Sequence, residues 1–189
     1  PGYRPDRHRA PLIGRDDEVA LLSHALDLAV GQGRAALLLL VGDAGVGKSR
    51  VVEQVAEVAR GCHDGVVLQG RCVPYGEANV WWPLAEAVRS GCNVEPGDDQ
   101  DAAADKVRAV VTRFMGSGDD TDRVVEGLLH LLGFDVLRVI DAARAREEAT
   151  GALLTLAAAV ARQRPLVIVL SDLHWADGAV LGVVEDLLE

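Results

Sequence analysis

The sequence has little cysteine and few aromatic residues. It contains three cysteines among 189 residues, and no two of them have the CxxC spacing. An odd number without that spacing favours neither a disulfide framework nor a zinc site, so we expect reduced thiols in a cytoplasmic protein. Aromatic residues make up 4% of the chain, whereas alanine, valine and leucine dominate. That mixture is typical of helices packed on a parallel sheet rich in valine and leucine.

Excess positive charge and long apolar runs are also lacking. The formal net charge is -10 at pH 7. Phosphate backbones and anionic lipids repel an acidic domain, so we expect this segment to bind neither nucleic acid nor a membrane surface directly. The longest apolar run, residues 35–41, is far too short to span a bilayer.

Hydrophobic patterns alternate between strand and helix along the chain. The run 35–41 predicts a strand buried on both faces, and residues 65–70 and 166–170 predict two more strands. Helical patterns begin at Asp16, after the loop 42–49, after Pro83, near 102, 121 and 141, and at a final segment for which Asp177 is the expected N-cap. This alternation predicts an α/β fold, a three-layer sheet of parallel strands with helices on both faces.

The strongest motif is a glycine-rich loop between the first predicted strand and the helix that follows. Residues 42–49, GDAGVGKS, match G-x-x-x-x-G-K-[ST] at every fixed position. The glycines allow backbone angles that side chains forbid, so several N–H groups can point at one anion. Lys48 would bring a charge to the outer phosphates, and Ser49 would offer its hydroxyl to Mg²⁺. The pattern therefore predicts a nucleotide phosphate site.

The expected ligands are ATP or ADP together with Mg²⁺. A GTPase normally carries an Asn-Lys-x-Asp segment that reads guanine, and the sequence has none. The phosphate-loop residues that we assign to nucleotide binding are Gly42, Asp43, Ala44, Gly45, Val46, Gly47, Lys48, Ser49 and Arg50.

Three stretches together resemble a known family. They are PLIGRDDEVALL at 11–22, VGDAGVGKSR at 41–50 and VIVLSDLHWAD at 167–177, with further similarity in GRCVPYGEANVWWPLAEAV at 70–88. They are similar to the AAA-like ATPase module of STAND signalling proteins, which are multidomain bacterial regulators that include LuxR-type activators and proteins linked to an adenylyl cyclase domain. The resemblance spans residues 11–189.

The resemblance implies roles for residues outside the phosphate loop. Ile13, Gly14 and Arg15 would lie near the adenine and ribose. The third strand would end in two acids, of which the first holds Mg²⁺ through water and the second orients the attacking water. Here the first position is Ser171 and the second is Asp172. Candidate metal-ligating residues are thus Ser49, Ser171 and Asp172, and the candidate catalytic residue is Asp172. Because a serine brings no charge, we expect ATP binding to survive and hydrolysis to be slow.

The resemblance also sets the expected domain organisation. This branch of P-loop proteins has a fourth strand between the phosphate-loop strand and the acid-bearing strand, and only three strand candidates occur here. We therefore expect residues 12–189 to form the N-terminal part of a P-loop ATPase domain, truncated before its later strands. Residues 1–11 hold three prolines and few apolar residues, which indicates a linker or an arm.

The interpretation that the sequence favours is an ATP- and Mg²⁺-binding regulatory switch in a larger signalling or transcription-regulating protein. Its expected partners are C-terminal domains of that protein, and a nucleotide-dependent oligomer is a further expectation. Two alternatives stay open. One is a small-molecule phosphotransferase, which would need an acceptor site and a lid. The other is a non-catalytic scaffold with a degenerate nucleotide site, and Ser171 favours it.

Aromatic residues and one histidine have open roles. Trp81 and Trp82 precede Pro83. Such a pair either anchors a loop on the core or marks a partner-binding patch. His174 follows the third strand and either senses the γ-phosphate or makes a structural hydrogen bond.

Overall fold

A computed structural model describes residues 13–74, 81–134 and 141–188. The predicted linker or arm, residues 1–11, lies outside them. The chain divides into two compact units, Pro1–Glu57 and Val58–Glu189. Each unit is described by itself.

The first unit contains one complete helix and the phosphate loop. Helix α1 spans Asp16–Gln32, and its first turn holds three acids, which the positive end of the helix dipole favours. It ends at Gly33 in the left-handed conformation, and the N–H of Arg34 donates to Ala29 O at 3.1 Å. Helix α2, Lys48–His63, starts in this unit and includes the last two residues of the loop 42–49. Helix α1 begins at Asp16 as the sequence predicts, and α2 begins two residues earlier than predicted.

The predicted strand at residues 35–41 is wrong. The segment has no strand assignment, and all of its residues except the half-buried Leu40 are exposed to solvent. Leu37, Leu39 and Val41 are among the most exposed large apolar side chains. An apolar run indicates a tendency to be buried, but a strand also needs a neighbour that accepts and donates its backbone hydrogen bonds. Among the described residues the segment has no such neighbour.

The second unit is built on a pair of parallel strands. Its elements are β1 Val66–Arg71, α3 Trp82–Cys92, α4 Gln100–Met115, α5 Asp119–Leu131, α6 Ala142–Ala161, β2 Leu166–Ser171, a 3₁₀ turn Leu173–Trp175 and α7 Gly178–Asp186. The strands pair from Val66 with Leu166 to Arg71 with Ser171. Parallel neighbours need a crossover, and α3 to α6 lie along it. The mixed α/β fold with a small parallel sheet is thus confirmed.

The core of the second unit lies mainly among helices α3 to α6. The largest fully buried side chains are Leu84, Leu128, Val107, Val111, Val125 and Val180. Helix α3 packs on β1, and α5 packs along α6. Asp177 caps α7 as predicted, because its carboxylate accepts from the N–H of Ala179 at 2.7 Å. Among the described residues, none of the helices combines the length and apolar character that crossing a bilayer requires.

The three cysteines are free thiols in different surroundings. Cys62 is exposed, whereas Cys72 and Cys92 are buried. Burial raises the pKa of the Cys92 thiol to about 11. Burial also raises the pKa of the Cys72 thiol, and the nearby carboxylate of Asp172 adds to that rise. Both buried thiols therefore stay protonated at neutral pH, which makes them poor nucleophiles.

Gly127 permits the close packing of α5 on α6. A Cβ atom there would lie 2.6 Å from the Cβ of Ala152 and 3.0 Å from the carbonyl oxygen of Glu148. We expect Gly127→Ala to lower the free energy of unfolding by about 1–3 kcal/mol through overpacking. Gly151→Ala is the matched control, because a Cβ there meets nothing within 4 Å. Alanine should stabilise that helix by about 0.5–1 kcal/mol. Urea unfolding of both variants measures the change in the free energy of unfolding. Equal changes in Gly127→Ala and Gly151→Ala would contradict the packing argument.

Candidate nucleotide-binding site

The phosphate loop folds as its glycines require. Gly45 and Gly47 have φ angles of 82° and 95°, in the left-handed region that favours glycine. The carbonyl of Gly47 then accepts from the N–H groups of Arg50 at 3.0 Å and Val51 at 3.2 Å. These bonds start α2 at Lys48, within the loop 42–49. The loop therefore leads straight into the N-terminus of a helix, where an anion is favoured.

The backbone donors of this loop are available to a phosphate. Within the described part of the chain, the N–H groups of residues 44–47 make no turn or loop hydrogen bond to another backbone group. Residues 42–46 are exposed. Consecutive N–H groups without an internal partner, placed at a helix N-terminus, form an anion-binding concavity. The residues present therefore fit the phosphates of a nucleotide.

Lys48 is held over the same loop. Its Nζ donates to the carbonyl oxygens of Gly42 at 2.7 Å and Asp43 at 2.8 Å. An ammonium group has three donors, so one remains for a phosphate oxygen. Ser49 follows in the first turn of α2 and is exposed. Its hydroxyl is accessible to a hydrated Mg²⁺, which is usually held by few protein ligands.

Arg15 contacts the phosphate loop from the start of α1. Its Nη2 donates to the carbonyl oxygen of Val46 at 3.1 Å, and its Nη1 pairs with Glu18. The hydrogen bond from Arg15 holds the pKa of the Glu18 carboxyl below its ordinary value. The structure thus brings Arg15 to the loop. The roles of Gly14 and Arg15 toward adenine and ribose stay a prediction.

Ser171 and Asp172 lie at the end of β2 in the second unit. Strand β2 ends at Ser171, one residue beyond the predicted range of 166–170. Asp172 has φ 57° and ψ 41°, a left-handed conformation that is uncommon for a residue with a side chain. Its Oδ2 accepts from Arg71 Nε at 2.7 Å. Among the described residues, no group of three or more histidine, cysteine and acidic side chains could hold a metal ion.

The sequence patterns did not indicate Arg71 and Glu86, which lie near Asp172 in the structure. Arg71 ends β1 and pairs with Asp172, and the N–H of Arg71 donates to Glu86 Oε2 at 2.7 Å. The carboxyl ends of parallel neighbours meet at one edge of a sheet. The alignment of β1 with β2 was the signal that could have found Arg71.

The aromatic residues differ in their surroundings. Trp81 packs against the hydrophobic core, whereas Trp82 is exposed at the start of α3. Trp81 therefore anchors this segment. The rings of His174 and Trp175 lie 5.0 Å apart between centroids. Their planes are tilted by 47°, and this contact assigns no role toward a phosphate to His174.

The chain has a glycine-rich loop that leads into a helix, and a lysine is bound across that loop. It also has parallel strands joined by helices. These features define the class of P-loop nucleotide-binding proteins. Within that class, the chain belongs to the AAA ATPase domain family, whose model matches residues 11–189. It is 31% identical over 178 residues to an uncharacterized protein of Rhizobium meliloti (strain 1021). That match covers 93% of this chain and 17% of the relative, so the chain spans less than a fifth of the relative's length. No solved structure matches the chain.

Proposed function

We propose that this chain is an ATP- and Mg²⁺-binding switch module of a larger signalling or transcription-regulating protein, and that it hydrolyses ATP slowly. The observation that carries the proposal is the phosphate loop. Its N–H groups lack backbone partners among the described residues, it lies at the N-terminus of α2, and Lys48 is bound across it. Membership of the AAA ATPase domain family supports the same ligand.

The proposed roles divide between binding and hydrolysis. Residues 42–50 hold the nucleotide, with Gly14 and Arg15 on its nucleoside side. Ser49 holds Mg²⁺, and Ser171 and Asp172 contribute at the metal through water. Asp172 orients the attacking water. These assignments rest on the resemblance and on the chemistry of the residue types.

Slow hydrolysis is proposed because of Ser171. The transition state of phosphoryl transfer is stabilised mainly by fixed charges and Mg²⁺. A serine hydroxyl can hold a metal-bound water, but it leaves the divalent cation less neutralised than a carboxylate would. A site that binds ATP well and turns it over slowly stays loaded for long periods, which suits a switch that biases contacts with other domains.

The partners and setting are proposals of the same kind. The bound nucleotide would control contacts with C-terminal domains or assembly into an oligomer. We place the protein in the cytoplasm, where its three free thiols would stay reduced.

Calorimetric titration with ATP, with and without Mg²⁺, tests the proposal. We expect binding to one site per chain, tightened by Mg²⁺. A protein that binds neither ATP nor ADP would instead support the second candidate, a non-catalytic scaffold, which Ser171 favours. Chromatography of reaction mixtures with candidate acceptors tests the phosphotransferase alternative, because a kinase leaves a phosphorylated product and a switch releases only inorganic phosphate.

A further inference from the structure

Arg71 and Asp172 meet at the edge of the sheet where α/β proteins bind ligands. Strands β1 and β2 are parallel and in register, so Arg71 lies opposite Ser171, directly before Asp172. Open α/β sheets place their ligands outside the carboxyl ends of the strands. An arginine that contacts the proposed catalytic acid therefore stands where the chemistry is expected.

The backbone of Arg71 is held by helix α3. Its N–H donates to Glu86 Oε2 at 2.7 Å. The preceding Gly70 lies so close to the start of α3 that a Cβ atom there would be 1.9 Å from the carbonyl oxygen of Pro83. The Cα of Arg71 is thus fixed from two sides, and only its side chain extends into solvent.

The side chain of Arg71 makes a short, solvent-exposed ion pair with Asp172. Its Nε donates to Asp172 Oδ2 at 2.7 Å, with the two side chains 69% and 37% exposed. Ion pairs this exposed contribute little to folding. The partner also has a positive φ of 57°, but Asp64 of the exposed Asp64–Arg164 pair has a φ of 52°, so the backbone conformation does not set Asp172 apart. What distinguishes the Arg71–Asp172 pair is its place at the carboxyl ends of β1 and β2, where its acid is the proposed catalytic residue.

The pair occupies one carboxylate oxygen and leaves the other. Among the described residues, no hydrogen bond is made to Asp172 Oδ1. A carboxylate whose Oδ2 is fixed has lost most of its rotational freedom, and its Oδ1 can accept from a water molecule in one direction. Water-orienting groups act through such restricted geometry.

We propose that Arg71 is a positioning residue for Asp172. Its guanidinium holds Oδ2, so that Oδ1 accepts a hydrogen bond from the attacking water during ATP hydrolysis. The inference rests on the proposed function of Asp172. It adds that the acid works as an Arg71–Asp172 pair, and that Glu86 supports the pair by holding the backbone of Arg71.

A spectroscopic test uses the nucleotide-free protein. We expect the ¹⁵N–¹H signal of Arg71 Nε to shift in Asp172→Asn. The control is Asp64→Asn, because Asp64 pairs with Arg164 at 3.2 Å at the other end of the same two strands. That substitution should leave the Arg71 signal in place. If the Arg71 Nε signal does not shift in Asp172→Asn, the proposal is overturned, and this result does not depend on whether the protein binds ATP.

A kinetic test uses the full-length polypeptide that carries this chain. We expect Arg71→Ala to lower kcat about tenfold, because misplacing a water-orienting group by even 1 Å is costly. The calorimetric affinity for ATP should stay within about twofold of wild type, and Arg71→Lys should keep part of the rate. Arg71→Ala should add no further loss to Asp172→Asn. Arg164→Ala, which removes the exposed pair at the opposite end, should match wild type.

Rescue separates positioning from a merely structural role. Guanidinium at millimolar concentration should restore part of the rate of Arg71→Ala and leave Arg164→Ala unchanged. If Arg71→Ala turns over like wild type while Asp172→Asn is slow, the proposal on Arg71 fails alone. If Arg71→Ala is faster than wild type, the pair withholds the acid and the positioning role is overturned. If Asp172→Asn also matches wild type, or ATP does not bind, the proposed function itself fails.

Discussion

Lys48→Ala is expected to weaken ATP binding by about 1.5–3 kcal/mol, which is roughly a 10- to 150-fold rise in Kd. The Nζ of Lys48 lies 2.7 Å and 2.8 Å from two carbonyl oxygens of the phosphate loop. It is therefore already bound beside the N–H groups that would hold the phosphates. Its removal deletes a charge-assisted hydrogen bond to the outer phosphates and leaves the loop backbone in place. Calorimetric titration of both proteins with ATP measures the change.

The chain offers a matched control for this substitution. Its only other lysine is Lys106 on α4, which pairs with Asp98 at 2.6 Å. Lys106→Ala removes the same charge from the chain without touching the phosphate loop, so its affinity for ATP should match that of wild type. Equal affinities for wild type and Lys48→Ala would mean that the loop does not bind nucleotide in this protein.

Helix boundaries could be predicted from the sequence because their signals are local. The acids after Arg15 and the glycine at position 33 mark both ends of α1 within a few residues of the helix itself. Asp177 bonds an N–H only two residues away. The shape of the phosphate loop was likewise encoded in eight consecutive residues. Interactions of such short range depend on the identity of near neighbours and on little else.

Features that depend on distant partners could not be predicted in the same way. Residues 35–41 have the composition of a buried strand, yet composition does not reveal whether a neighbouring strand is present. Arg71 and Asp172 are 101 positions apart, and only the register of β1 against β2 brings them together. The sequence motif indicated Asp172, but Arg71, which pairs with it, could be identified only from the three-dimensional structure.

Asp172→Asn is expected to abolish most of the residual ATP hydrolysis, by about 10²-fold or more, while leaving ATP binding largely intact. A neutral amide orients water poorly, and it also loses the charge that pairs with Arg71 at 2.7 Å. Phosphate release at steady state, measured on the full-length polypeptide that carries the chain, gives the rate. If Asp172→Asn leaves the rate untouched, the acid that matters lies elsewhere in the protein.

Ser171→Asp should act in the opposite direction at the neighbouring position. It places a second carboxylate at the end of β2, beside the proposed Mg²⁺. Two unit charges 4 Å apart interact by about 1–4 kcal/mol between bulk water and a protein surface, and a divalent ion doubles the charge. We therefore expect Mg²⁺-dependent ATP binding to tighten about tenfold or more, and ATP hydrolysis to become faster. Ser171→Asn is the control, because asparagine has nearly the size of aspartate without its charge and should give neither gain. If wild type already hydrolyses ATP as fast as Ser171→Asp does, Ser171 does not slow the reaction, and the slow hydrolysis proposed for this switch is wrong.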